Sequence, residues 1–157
     1  MAKDELIEAR LTESIIGAFY EVYNHLGFGF LESIYVRALV IELEDRGHRV
    51  EREVVVDIYY KGRFVGRHRL DLVVDGKAIL ELKSRELFPA FGPKQCLSYL
   101  KATRMEVGLV LHFGPSPKFK RVVCQARPLG SAAAIRRTPG VPRRASPAGP
   151  VQERDQI

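Results

Sequence analysis

The chain reads as one α/β domain, a mixed central sheet flanked by helices, with a basic tail after it. Three observations predict this. Two segments with helical apolar spacing open the chain, a block of β-branched and aromatic segments begins at Val50, and a third helical segment separates two further strand-like runs from that block. With 157 residues there is room for one core and an extension, not for two full-sized cores.

Leu6, Leu11, Ile15, Ala18, Phe19, Val22 and Leu26 recur at helical intervals, so residues 3–26 are predicted as an amphipathic helix. Gly27-Phe28-Gly29 interrupts it. A second helix is expected over residues 31–46, with Ile34, Ala38, Leu39 and Leu43 on one stripe and Gly47 as its stop. Segments 53–60, 64–74 and 77–83 then read as strands, separated by Lys61-Gly62 and Asp75-Gly76. A helix over 93–103 and strands at 106–113 and 119–125 complete the body. The first three strands should be antiparallel neighbours, and the helix after the third permits a parallel crossover to the fourth.

Composition narrows the class. Apolar residues make up 46% and charged residues 28%, ordinary values for a soluble globular protein. No apolar run approaches the roughly 20 residues of a membrane-spanning helix, and MAKDELIEARLTE has no signal-peptide core. Cys96 and Cys124 are too few for a disulfide scaffold and suit a reducing compartment, so a cytoplasmic location is expected. Lys and Arg number 25 against 19 Asp and Glu, a net +6. Residues 126–157 hold six Arg against Glu153 and Asp155, so 6 − 2 = +4 lies there and 6 − 4 = +2 in residues 1–125. That stretch has no aromatic residue and five of the nine prolines, and is expected to be a disordered tail on a 1–125 domain.

In LDLVVDGKAILELK, Glu81 and Lys83 share a strand face, and the hairpin register decides whether Asp71 joins them. A two-residue turn pairs Leu70 with Glu81 and buries two charges among leucines. A three-residue loop instead puts Leu70, Leu72, Val74, Ala78, Leu80 and Leu82 on one face, and Asp71, Val73, Ile79, Glu81 and Lys83 on the other. Burying unpaired charge costs several kcal/mol, more than a change of turn type, so the three-residue register is predicted, with Gly76 left-handed. The resulting cluster suits either a salt bridge or a hard oxygen site for Mg²⁺ or Mn²⁺.

Two more motifs flank it. GFLESIY sets Gly29, Glu32 and Tyr35 at G-x-x-E-x-x-Y spacing, with Glu32 and Tyr35 on one helical face. Glu32 also suits the dipole of a first helical turn, and Tyr35 also suits a core. QCLSY sets Gln95 and Tyr99 four apart on a later helix. His25, His48, His68 and His112 have no metal-ligand spacing, and no nucleophilic triad is suggested.

In this order the motifs resemble the GxxExxY protein family of the PD-(D/E)XK nuclease superfamily, over residues 10–125. The phrases LTESIIGAFYEVYNHLG, GFLESIYVRAL and YLKAT carry the likeness. Asp71, then Glu81-x-Lys83, then Gln95-x-x-x-Tyr99 is similar to the RecB-like exonuclease signature. The resemblance implies an αβββαβ core and a divalent-metal-dependent nuclease using Mg²⁺ or Mn²⁺ on nucleic acid, DNA ahead of RNA. It implies Asp71, Glu81 and the Leu82 backbone carbonyl as metal ligands, Lys83 polarising the attacking water, and Glu32 completing the acidic cluster. Gln95 and Tyr99 would orient the lysine or contact the scissile strand, with Tyr35 in support. Arg63, Arg67, Arg69, Arg85 and Lys94 are candidates for phosphate contacts, and a homodimer is among the partner expectations. Family members carry a His three residues before the glutamine, where this chain has Gly92. An inactive nucleic-acid-binding or regulatory module on the same fold is the alternative expectation.

Overall fold

The computed structural model describes residues 7–125 and the backbone of residues 133–135. Its elements are α1 (Ala9–Leu26), α2 (Glu32–Asp45), β1 (Val50–Tyr60), β2 (Arg63–Val74), β3 (Ala78–Lys83), α3 (Gly92–Thr103), β4 (Val107–Phe113), β5 (Pro117–Val123) and β6 (Ala133–Ile135). The first helix starts at Ala9 instead of residue 3, because Glu8 has φ 49°, a left-handed conformation that cannot continue a right-handed helix. Residues 3–6 of that expected helix lie outside the described residues. The expected disorder of 126–157 also falls outside them, except at β6, whose Ala133–Ile135 pair antiparallel with Val56, Asp57 and Ile58.

One sheet runs in the order β5-β4-β3-β2-β1-β6. Only β3 and β4 pair in parallel among the described strands, joined through α3 as the crossover. β4 is buried along its whole length, so VGLVLHF reads as a continuous apolar run, the pattern of a strand covered on both faces. On one side α1 and α2 lay Ile15, Phe19, Leu39 and Leu43 against Leu72, Leu80, Leu82 and Leu109. On the other, α3 covers a smaller cluster of Val54, Val56, Val73 and Ile79 with Tyr99 and Leu100. No described helix is long and apolar enough to cross a membrane.

The β2–β3 hairpin takes the three-residue register: Val74 pairs with Ala78, Val73 with Ile79 and Leu72 with Leu80. The Lys77 N–H donates to the Val74 carbonyl at 3.0 Å across Asp75 (φ 53°) and Gly76 (φ 65°), both left-handed. Lys77 is thus the surplus residue. Leu70 departs from the expected face. It packs with Val54, Val56, Val73 and Tyr99 under α3, whereas Leu72 and Val74 pack under α1 and α2. Alternation breaks between them because Glu53, between the partners of Leu70 and Leu72, has φ 52° and distorts the ladder beside Asp71.

A side-chain relay ties three elements together at the far end of this hairpin. Ser14 Oγ lies 2.7 Å from His48 Nε2, and His48 Nδ1 lies 2.7 Å from Asp75 Oδ2. Asp75 also accepts from the Arg49 N–H at 2.8 Å. The connectivity matches that of a hydrolase triad, but Ser14 sits inside α1, where helical N–H groups are already bonded and none is free to receive an oxyanion. The relay is a clamp between α1, the α2–β1 loop and the β2–β3 turn.

Candidate active site

Asp71 and Glu81 meet on adjacent strands. The Asp71 Oδ2 accepts a hydrogen bond from the Leu82 N–H at 2.8 Å, which turns the aspartate toward β3. Glu81 is 5% exposed, and its buried Oε1 has no hydrogen-bond partner. Burial, and then the neighbouring Asp71 carboxylate, push Glu81 up to about 8, while Lys83 pulls the other way. Two carboxylates this close in a dry site cannot both hold full charge without a proton or a cation between them. Lys83, two residues on, is half-buried at the end of β3 and acts on Glu81 through space.

Glu32 reaches the same neighbourhood from the other layer. It is the first residue of α2, half-buried, and its pKa is raised chiefly by burial. Lys83 and Arg85 oppose that rise and Asp71 adds to it, so Glu32 stands within the field of the cluster. Tyr99 closes the side under α3. Burial, then the charges of Glu81 and Asp71, raise its pKa, so it remains a neutral phenol. Cys96, one turn earlier, is pushed up to about 12 by burial and by Glu81, so it stays a thiol.

The sequence reading passed over His68. Its ring stacks on Tyr99 with centroids 3.9 Å apart and planes 14° from parallel, and Nδ1 lies 3.1 Å from the Tyr99 hydroxyl. Its Nε2 is buried without a hydrogen-bond partner. Burial lowers its pKa, with Asp71 opposing and Lys83 adding to the fall, which sets the ring within the field of both groups. No spacing rule finds this residue, because its contact lies 31 positions away. The one available signal is its position three residues before Asp71.

Two expected residues stand apart. Tyr35 is fully buried and stacked on Phe113 at 4.3 Å; its hydroxyl donates to the Gly27 carbonyl at 2.6 Å and accepts from the Phe30 N–H at 3.2 Å. It is a core aromatic that holds the loop leading to Glu32, not a member of the cluster. Gln95 is exposed one turn before Tyr99 on α3, and no hydrogen bond of its side chain reaches Lys83 among the described residues. Gly92 is closely packed: a Cβ there would lie 3.1 Å from Pro89 Cγ and 3.3 Å from Val110 Cγ1, so those side chains would have to give by a few tenths of an ångström. Among the described residues, no three His, Cys, Asp or Glu side chains converge closely enough to hold a metal ion. The donors that do converge are the Asp71–Glu81 pair, hard oxygens with one orphaned atom, a set that fits a hard divalent cation.

A mixed sheet with an acid on one strand and an acid-x-lysine on the next defines a nuclease-like α/β domain. The family model of the PD-(D/E)XK nuclease superfamily matches residues 9–122, well over half of the chain, and the protein belongs to that superfamily. No curated protein matches the sequence. Among solved structures, the one titled "Crystal structure of SSO0001" is similar at 22% identity and a TM-score of 0.47. That match covers 81% of this chain and 63% of that one, so this chain spans less than two thirds of its length.

Proposed function

We propose that the protein is a divalent-metal-dependent nuclease that hydrolyses phosphodiester bonds, with DNA ahead of RNA as substrate. Within the superfamily, the G-x-x-E-x-x-Y spacing at Gly29, Glu32 and Tyr35 and the Asp71, Glu81-x-Lys83, Gln95-x-x-x-Tyr99 order favour the GxxExxY family and its RecB-like motif set. The observation that carries the reading is the buried Glu81, with an unpartnered oxygen, beside the half-buried Asp71 and Lys83.

Asp71, Glu81 and the Leu82 carbonyl would hold Mg²⁺ or Mn²⁺, with Glu32 as a further acid at the rim. A bound divalent cation supplies Lewis-acid charge to a phosphate and lowers the pKa of its water. The rest falls to the chain itself. The Leu82 N–H fixes the Asp71 carboxylate, so its other oxygen is held ready. Lys83 carries the positive charge that steadies the phosphate oxygens as negative charge grows. His68 and the neutral Tyr99 form a flat, dry wall that holds the acids in place and limits water.

The test is a cleavage panel of labelled single-stranded DNA, duplex DNA and RNA with Mg²⁺ and Mn²⁺, against a Glu81→Ala control. Metal-dependent cutting that disappears in Glu81→Ala supports the reading. Binding without cutting under every metal would replace it with the second one, an inactive nucleic-acid-binding module. That second reading is favoured by Gly92, which stands where the family carries a histidine and is closely packed by Pro89 and Val110. A cytoplasmic location and a 1–125 catalytic domain followed by a basic tail complete the proposal.

A further inference from the structure

The β1–β2 ladder continues past the site. The β2–β3 pairing ends at Leu72↔Leu80, so residues 57–69 extend past β3 as an arm, bordered by β6 at Asp57 and Ile58 and two-stranded beyond them. From His68 to the tip at Arg63 the arm extends roughly 17 Å at strand rise. Ile58 pairs with Gly66 but Tyr59 with Phe64, so Val65 is a surplus residue. Val56, Ile58 and Tyr60 therefore share the face of His68, the face of α3 and the site.

This arm is unusual in what it exposes. Tyr60 is 63% exposed with Lys61 Nζ 5.5 Å from its ring centroid, and Phe64 is 56% exposed with the Arg67 guanidinium 5.8 Å from its ring. Arg67 is held by the buried Asp57 at 2.5 Å, which fixes it over the ring. Residues 57–69 hold Lys61, Arg63, Arg67 and Arg69 against Asp57, a net 4 − 1 = +3. The remainder of residues 1–125 then sums to 2 − 3 = −1. The positive charge of the folded body is thus concentrated on the arm, between exposed rings.

We propose that the site face of this arm is a guide for an unpaired nucleic-acid strand, with a base stacking on Tyr60 and phosphates meeting Lys61 and Arg63, whereas Phe64, Arg67 and Arg69 lie on the opposite face with Tyr59, Asp57 and Val55. It rests on the nuclease reading only for the direction of the strand, which runs from the arm tip past His68 to Lys83. Stacking on an aromatic ring is available to any base and is lost when bases are paired, so the chemistry selects single strands over duplex. A protein partner fits less well, since apolar contact cores are depleted of lysine. Two copies docking arm to arm would bring +3 against +3.

Fluorescence anisotropy of labelled single strands (DNA and RNA) and a matching DNA duplex, titrated with the full chain in EDTA, separates binding from cutting. The expected result is tighter binding of a single strand than of duplex. Tyr60→Ala should weaken single-strand binding about tenfold while Phe64→Ala, on the opposite face, leaves it unchanged, and Arg63→Gln should flatten the salt dependence. Duplex bound as tightly as single strand, or affinity unmoved by Tyr60→Ala, overturns the arm. So does a change of oligomeric state in place of affinity. If the arm variants behave as expected while the wild type never cuts with any metal, the nuclease reading falls and the arm stands. Cutting by Tyr60→Ala at wild-type affinity has the reverse meaning.

Discussion

Asp71 Oδ2 and the Leu82 N–H are joined by a 2.8 Å hydrogen bond that extends the β2–β3 pairing beyond Leu72↔Leu80 through a side chain. One carboxylate oxygen therefore organises the backbone between Glu81 and Lys83, and the other is left for chemistry. The two roles separate by substitution. Asp71→Asn keeps an acceptor for Leu82 and should change stability by less than about 0.5 kcal/mol, whereas Asp71→Leu loses the bond and should cost about 1 kcal/mol or more. Both should abolish cleavage, read by chemical denaturation and by product formation on the same preparations.

Glu81 makes stability depend on pH in a defined direction. Its folded pKa is raised from 4.5 to about 8, so between those values the folded state binds more protons than the unfolded state. Without divalent cation, stability should fall as pH rises through that window, and Glu81→Gln should flatten the fall. At pH 8, Mg²⁺ or Mn²⁺ should raise the Tm of the wild type with concentration and leave Glu81→Gln nearly unchanged. A wild-type Tm that ignores both ions would remove the metal site.

The Ser14–His48–Asp75 clamp carries a separate prediction. Ser14→Ala should cost about 1 kcal/mol and His48→Ala about 2 kcal/mol, with the double variant costing less than the sum because both act on one relay. Burial alone would raise the Asp75 pKa, but the Arg49 N–H, His48 and Lys77 outweigh it and hold the carboxyl below 3.8. A depressed carboxylate stabilises above its unfolded pKa and loses that effect as pH falls through the folded value. Urea denaturation should show the clamp's contribution vanishing below about pH 3.8. Cleavage at neutral pH should survive Ser14→Ala.

Gly108 sets how closely α3 approaches the sheet. A Cβ there would lie 2.4 Å from Cys96 Sγ and 3.3 Å from the Ile79 carbonyl oxygen. Gly108→Ala should cost about 1–3 kcal/mol through overpacking. By pushing α3 outward it should also disturb the Tyr99–His68 stack, so cleavage should drop more than global stability, measured as kcat against Tm. Cys96→Ala should restore part of both by removing the sulfur that the new methyl meets.

Much of the site was legible in the chain. Leu72, Val74, Ala78, Leu80 and Leu82 alternate cleanly, and the cost of burying Glu81 and Lys83 among them selected the hairpin register that the fold adopts. Leu70 was misplaced because one left-handed residue, Glu53 on the partner strand, breaks an alternation that pattern reading assumes continuous. Tyr35 has the spacing of a functional residue, yet its ring stacks on Phe113, a contact that no local spacing encodes.

Element order, the parallel crossover and the placing of Asp71, Glu81 and Lys83 together follow from the sequence by itself, because period, turn chemistry and charge burial act over a few residues. The tertiary structure decided the rest. It brought His68 onto Tyr99, Glu32 into the field of Lys83, and Ser14, His48 and Asp75 into one relay. These pairs lie far apart along the chain, and only the packing of three helices on a distorted sheet sets their distances.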